Sequence, residues 1–411
     1  MHRASKARPR AILAAGAAIQ ILTGLPAAWG VFQKPVMEEY GLSDTGARTA
    51  FGLLIAAYGV GCVLGGFLQD KHGPRCAALW GAALLCSGLF AAALLPDSWS
   101  GAFWCAFSVP AGLGTAFLYP AVQSCAQKWY AGRKGLATGV IGGAVGLSGA
   151  FLTVFVRTAL RGFGPVQGIR GAFWALGALT LPVCGVGAAL LKDPPETAAP
   201  EVAAEKGTAP DLGPRQMLHT RQYWLCAAAV CFSTPAVLLF SPVILALGEA
   251  RGLDEGAALW SIVLGSVGSA AGRLLMPMLS DRIGRRSADL ILFAASAALS
   301  LAFAYAAGWA VVAVYAALTF CYSGLAAILP AFSTDLFGLP HAGVNYGFLA
   351  LGQSVGSMAF PLAADVLGLG FGPGLGMEGG RHLLAVAGAA AGFAAVWAIR
   401  PQARGRQSDR G

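Results

Sequence analysis

Twelve apolar runs, each long enough to cross a bilayer, divide this chain and leave it little choice of fold. Their approximate limits are 11–33, 49–69, 76–95, 101–126, 136–157, 171–191, 222–247, 257–279, 288–307, 309–334, 343–366 and 381–399. A helix rises about 1.5 Å per residue, so about twenty apolar residues cross a hydrocarbon layer about 30 Å thick. In lipid every backbone polar group must be satisfied within the protein, and a helix does so one segment at a time. Only 11% of the residues are charged, whereas a soluble domain carries about 25%. The expected fold class is an all-α membrane protein with twelve transmembrane helices. The 57 glycines, many inside apolar runs, suit close helix–helix contact.

The runs group as six and six. Between them, Lys192–Arg221 is rich in Pro, Glu and Ala and cannot build a core. The expected organisation is a first six-helix half over 1–191, a flexible cytoplasmic linker over 192–221, a second half over 222–400 and a tail over 401–411. Lys and Arg set the orientation. With both termini inside, twenty of the 28 basic residues fall on the cytoplasmic side, as the positive-inside rule requires. The net charge of +9 therefore reflects loop topology, and no nucleic-acid partner is expected. Nothing resembles a cleaved signal peptide: the first apolar run is long and lacks a convincing cleavage site. Trp99, Trp129, Trp309 and Trp397 stand near run ends and read as interfacial anchors.

The halves repeat. Shifted by 211 residues, Gly41–Asp44 falls on Gly252–Glu255 and, without a gap, Asp70–Arg75 falls on Asp281–Arg286. A shift of 208 sets Trp129 on Phe337, Gly135 on Gly343 and Gly139 on Gly347. Two pseudo-symmetric halves imply a transporter with its site near the membrane midplane, between them.

Arg273 marks that site. It lies eight residues before the polar end at Asp281, roughly 12 Å into the layer. A guanidinium there costs at least about 2.5–3.5 kcal/mol. No acid is evident deep in the other apolar runs to pair with it. Under the 211 shift it aligns with Cys62, so the scaffold does not itself call for an arginine. Its planar fork suits bidentate binding of a carboxylate. A structural ion pair is the competing reading.

Other candidates are weaker. Tyr119 and Tyr322, in the fourth and tenth runs, can donate hydrogen bonds to a carboxylate or close a cavity, although buried aromatics more often only pack. Tyr58 is a lesser candidate. Asn345 and Tyr346 read as structural or gating residues. Lys34, at the outer end of the first run, can guide anions by its local field or simply snorkel to the interface. Gly112, Gly114, Gly142, Gly143 and Gly146 read as close-approach positions for the fourth and fifth helices. No phosphate loop, metal cluster or nucleophile–base constellation is visible, so neither a cofactor nor an enzyme activity is expected. The nine cysteines form no CxxC pair and read as small packing residues.

Motifs then carry a resemblance. GGFLQDKHGPR (Gly65–Arg75) and its second copy LSDRIGRR (Leu279–Arg286) resemble the loop motif of the major facilitator superfamily. Asp70, Gly73, Arg75, Asp281, Gly284 and Arg286 stand in the motif as a gating lock. A carboxylate there can face a helix N-terminus, and the glycines permit the tight turn. The run GLGTAFLYPAVQSCAQKWYAGRKGLATG (Gly112–Gly139) resembles the oxalate/formate antiporter family, which is related to monocarboxylate transporters. GRLLMPMLSDRIGRR (Gly272–Arg286), LPAFSTDLFGLPHAGVNYG (Leu329–Gly347) and GVFQKPVMEEYGLS (Gly30–Ser43) extend the likeness over nearly the whole chain.

The resemblance implies exchange or uptake of small organic anions across a bacterial inner membrane by a monomeric carrier. In oxalate exchangers of that family, an arginine on helix 8 and a lysine on helix 11 hold two carboxylates. Arg273 matches the first, but Gln353 stands at the second position and is neutral. One cation fits one carboxylate, whereas a dianion would keep an uncompensated charge in a low-dielectric cavity. The expected substrate is a monocarboxylate of formate, lactate or pyruvate size. Ser269 stands where monocarboxylate carriers often place an aspartate, which argues against proton coupling by that route; exchange and proton-coupled symport, with protons as a partner, both stay open. An oxalate/formate-type exchanger is the nearest alternative. A facilitator for a neutral or cationic solute and a non-transporting sensor are further ones.

Overall fold

The structure, a computed structural model, describes residues 2–96, 101–130, 134–192, 194, 212–338 and 341–399. Most of the expected linker, the tail over 401–411 and Trp99 lie outside the described residues. Among the described residues, eleven helices are long and apolar enough to span a membrane. A bent pair, Pro9–Thr23 with Leu25–Tyr40 at 43°, makes a twelfth.

In chain order the helices are α1 (His2–Thr23), α2 (Trp29–Tyr40), α3 (Asp44–His72), α4 (Pro74–Leu94), α5 (Val109–Trp129) and α6 (Lys134–Leu190). They continue with α7 (Pro214–Leu218), α8 (Arg221–Ser233), α9 (Pro235–Leu238), α10 (Ile244–Ala250) and α11 (Glu255–Ile283). The chain closes with α12 (Arg285–Phe303), α13 (Trp309–Phe337), α14 (Ala342–Val366) and α15 (Gly380–Ala398). α6 contains two spans, Leu136–Gly164 and Gly168–Leu190, because Gly164 (φ 66°) and Gly168 (φ 4°) leave helical geometry.

Several expected limits need correction. The first run does not end near 33. It breaks at the short 3-10 turn Leu25–Ala28, which contains Pro26, and continues to Tyr40. The seventh run is interrupted in the same way at Pro235 and at the 3-10 turn Ser241–Val243. Proline lacks an amide hydrogen and clashes with the preceding turn, which accounts for both breaks. The linker is not flexible throughout. Its last residues form α7, with Met217 fully buried. Leu212 N donates to Phe337 O at 2.9 Å, and Asn345 Nδ2 donates to Leu212 O at 3.0 Å. Asn345 is thus a structural tether.

The repeat is visible in helix limits. α3 and α11 are both 29 residues long, and their limits differ by the same 211 residues at either end. Each ends on a glycine of positive φ, Gly73 at 83° and Gly284 at 90°, where a side chain would be strained. Caps sharpen the starts: Ser43 Oγ accepts from Gly46 N, and Thr220 accepts from Tyr223 N. Each half has its own core. In the first, Trp29, Phe32, Phe107 and Phe173 stack, with ring centroids 5.1–6.5 Å apart.

The halves meet along two antiparallel pairs, α3 against α14 and α6 against α11. A Cβ on Gly146 would stand 2.4 Å from Ala270 N and Cα, so only glycine allows that approach. On the other pair, Ser354 Oγ donates to Ile55 O at 3.0 Å. Gly112 and Gly114 likewise press on the backbones of α3 and α4. Gly143 does not: nothing lies within 4 Å of its Cβ direction.

Candidate functional site

Arg273 sits two-thirds of the way along α11, facing α6. A Cβ on Gly142 would stand 3.3 Å from Arg273 Cβ, so the glycine leaves room for the stem of the side chain. The guanidinium acts on the hydroxyls of four tyrosines: Tyr58 on α3, Tyr119 on α5, Tyr322 on α13 and Tyr346 on α14. Arg273 Nε is buried without a hydrogen-bond partner. Among the described residues no carboxylate forms an ion pair with it. These neighbours come from both halves, so the charge lies between them.

Around this centre the polar side chains are linked. Gln353 Nε2 donates to Tyr322 Oη at 2.6 Å. Tyr58 stands within electrostatic reach of Cys62 and Tyr346. One turn before Arg273, Ser269 Oγ meets Ser323 Oγ at 2.7 Å. The serine at the aspartate position of monocarboxylate carriers is therefore engaged with α13. Chemically this is a cationic fork facing several phenol hydroxyls, each able to donate to an oxyanion. A half-buried guanidinium whose Nε meets no partner carries an unmet part of its desolvation cost. A small anion between it and the phenols would offset that cost.

The structure thus brings Arg273, Gln353, Tyr119 and Tyr322 together. Lys34 is apart from them: it is exposed on α2, beyond the bend, and is not among the groups around Arg273. Tyr58, a lesser candidate in the sequence, and Tyr346, which reads there as structural or gating, stand with them around Arg273. Pseudo-symmetry could have found Tyr58, because it stands one turn before Cys62, the counterpart of Arg273. A further missed residue is Asp289, a buried acid one turn into α12.

The loop motif behaves differently in its two copies. Asp70 Oδ1 would lie 3.1 Å from a Cβ on Gly343, in the first turn of α14, with His341 and Lys128 acting on its charge. This carboxylate therefore faces a helix N-terminus of the other half, where the dipole favours it. Asp281 instead pairs with Arg285 of its own half at 2.5 Å. Arg286 donates to Val396 O at 3.3 Å and contacts Trp397 O, capping the last turn of α15. Arg75 is exposed. At the opposite end of the molecule the halves are joined by Arg157 Nη2 and Glu255 Oε1 at 2.6 Å.

Comparison with known proteins agrees with this architecture. Residues 11–361 match the family described as the Major Facilitator Superfamily. The chain is 25% identical to the oxalate:formate antiporter of Oxalobacter formigenes over 343 residues, 82% of this chain and 79% of that one. It is 26% identical to the uncharacterized MFS-type transporter YhjX of Escherichia coli strain K12 over 343 residues, covering 82% and 83%. The solved structure of the proton:xylose symporter XylE bound to 6-bromo-6-deoxy-D-glucose superposes with a TM-score of 0.71 at 13% identity, over 96% of this chain and 95% of that one. That likeness concerns the fold. On this evidence the chain belongs to the Major Facilitator Superfamily, and it is a multi-pass membrane transporter related to the oxalate:formate antiporter.

Proposed function

We propose that the protein carries small organic anions by alternating access, with monocarboxylates of formate, lactate or pyruvate size as its substrates. The observation that carries this reading is Arg273: a guanidinium between the halves, faced by four tyrosines and paired with no carboxylate among the described residues. The substrate carboxylate takes the fork, and the phenols of Tyr119 and Tyr322 donate to its remaining lone pairs. Gln353 orients Tyr322 and adds no charge. One fixed cation neutralises one carboxylate, so the loaded cavity can be occluded without a net buried charge. Lys34 serves at most the approach of the anion.

The two halves, 1–191 and 222–400, rock about this site. Asp70, Gly73, Arg75, Asp281, Gly284 and Arg286 stabilise the cytoplasmic ends of the helices. The basic loops and the even number of spans favour both termini in the cytoplasm of a bacterial inner membrane. A second reading, a dicarboxylate exchanger, draws on the relative named for oxalate and formate. The neutral Gln353 counts against it. Counterflow of labelled formate, lactate, pyruvate and oxalate in proteoliposomes separates the two. Monocarboxylate exchange supports the proposal, oxalate preference supports the second reading, and absence of any carboxylate exchange refutes both.

A further inference from the structure

The anion site leaves one buried acid unused. Asp289 is 7% exposed, and its Oδ1 has no hydrogen-bond partner. Among the described residues it forms no ion pair. It lines a small pocket of the second half, bounded by α8, α12, α13, α14 and α15. α8 brings Cys226, α13 brings Tyr322, and α14 brings Tyr346 and Gln353. α15 brings apolar side chains such as Val396. The charge acting on Asp289 is Arg285 of its own helix, which is committed to Asp281 at 2.5 Å and lies 3.5 Å from Asp335.

Tyr322, Tyr346 and Gln353 are also the wall of the anion site. Tyr322 and Tyr346 feel Arg273 from one side and border the Asp289 cavity from the other. A buried carboxyl without a partner must be neutralised by a proton or met by a cation. A hard cation needs several oxygen ligands. Besides Asp289 the lining offers only the neutral side-chain oxygens of Ser233, Tyr322, Tyr346 and Gln353, with no second carboxylate to balance a metal's charge.

We propose that Asp289 is a proton-binding site, coupled to the anion at Arg273 through the shared wall of Tyr322, Gln353 and Tyr346. Proton and carboxylate then cross together, because loading both leaves neither buried charge uncompensated. The proton enters and leaves as such, and no bond other than O–H is made or broken. This rests on the anion reading above and adds its coupling ion.

The test uses purified full-length protein in liposomes with an entrapped pH dye, and protein-free liposomes correct for leak of undissociated acid. With one proton per anion, an inward gradient of one pH unit should drive about tenfold accumulation. The lumen should acidify as the anion enters. Asp289→Asn should lose both effects while counterflow continues, and Asp289→Glu should restore them. Wild-type net uptake that ignores the pH gradient, drive by a sodium gradient instead, or an Asp289→Asn variant that still accumulates substrate would each overturn the proposal. If Asp289→Asn does not fold, the wild-type dye signal and Asp289→Glu decide. Absence of wild-type counterflow is a separate result that removes the anion reading, and the coupling with it.

Discussion

Replacing Arg273 by alanine should abolish carboxylate affinity without weakening the protein. A bidentate guanidinium–carboxylate pair contains two charge-assisted hydrogen bonds, each contributing about 1.5–3 kcal/mol. Their sum, about 3–6 kcal/mol, corresponds to a loss of roughly two to four orders of magnitude in affinity. Arg273→Lys keeps the charge but loses the fork and one of the bonds, so its loss should be about one to two orders. Stability should move differently. Arg273 Nε is buried and unpartnered, and among the described residues no carboxylate would be orphaned by its removal. Exchanging such a charge for an apolar side chain such as Met is neutral or stabilising. The assay is counterflow across a substrate series, together with thermal unfolding with and without substrate. Arg273→Ala should unfold no earlier than wild type and lose its substrate-induced shift. Unchanged KM in Arg273→Ala, or a sharply destabilised ligand-free Arg273→Met, would refute the reasoning.

Other outcomes follow from the same geometry. Gln353→Lys places a second cation beside Tyr322 and should raise affinity for oxalate relative to formate; unaltered selectivity in competition assays would contradict the one-cation argument. Gly146→Val drives a Cβ to 2.4 Å from the Ala270 backbone. It should cost about 1–3 kcal/mol of strain and slow transport, while Gly143→Ala, which meets nothing within 4 Å, should behave as wild type in both unfolding and uptake. Arg286→Ala removes the cap on α15 and should lower thermal stability with substrate preference retained. A changed preference would show that the second loop copy reaches the site.

Much of the architecture is legible from hydropathy, because the bilayer forces each apolar run into a helix. The turns at Gly73 and Gly284 are readable for a different reason: positive φ leaves glycine as the residue without strain. The pattern does not carry rotation about each helix axis. Tyr58 lies inside an apolar run and Lys34 at the end of one, yet Tyr58 faces the inter-half space and Lys34 is exposed outside it. Asp289 escaped notice because a lone acid near a run end looks like a loop residue. Only the packing of α13 and α15 against α12, with α8 and α14 completing the pocket, shows that it is enclosed. The breaks at Pro26 and Pro235 were written in the chain as prolines, but apolar length alone draws straight spans through them.

One 29-residue rod occurs twice in this molecule, and only the later copy bears a charge at its waist. Swapping the postures of the two bundles therefore reproduces the backbone but not the field. On the proposed anion site, the passenger would be gripped by the same rod in every posture and stay fixed relative to the second bundle while the first tilts around it.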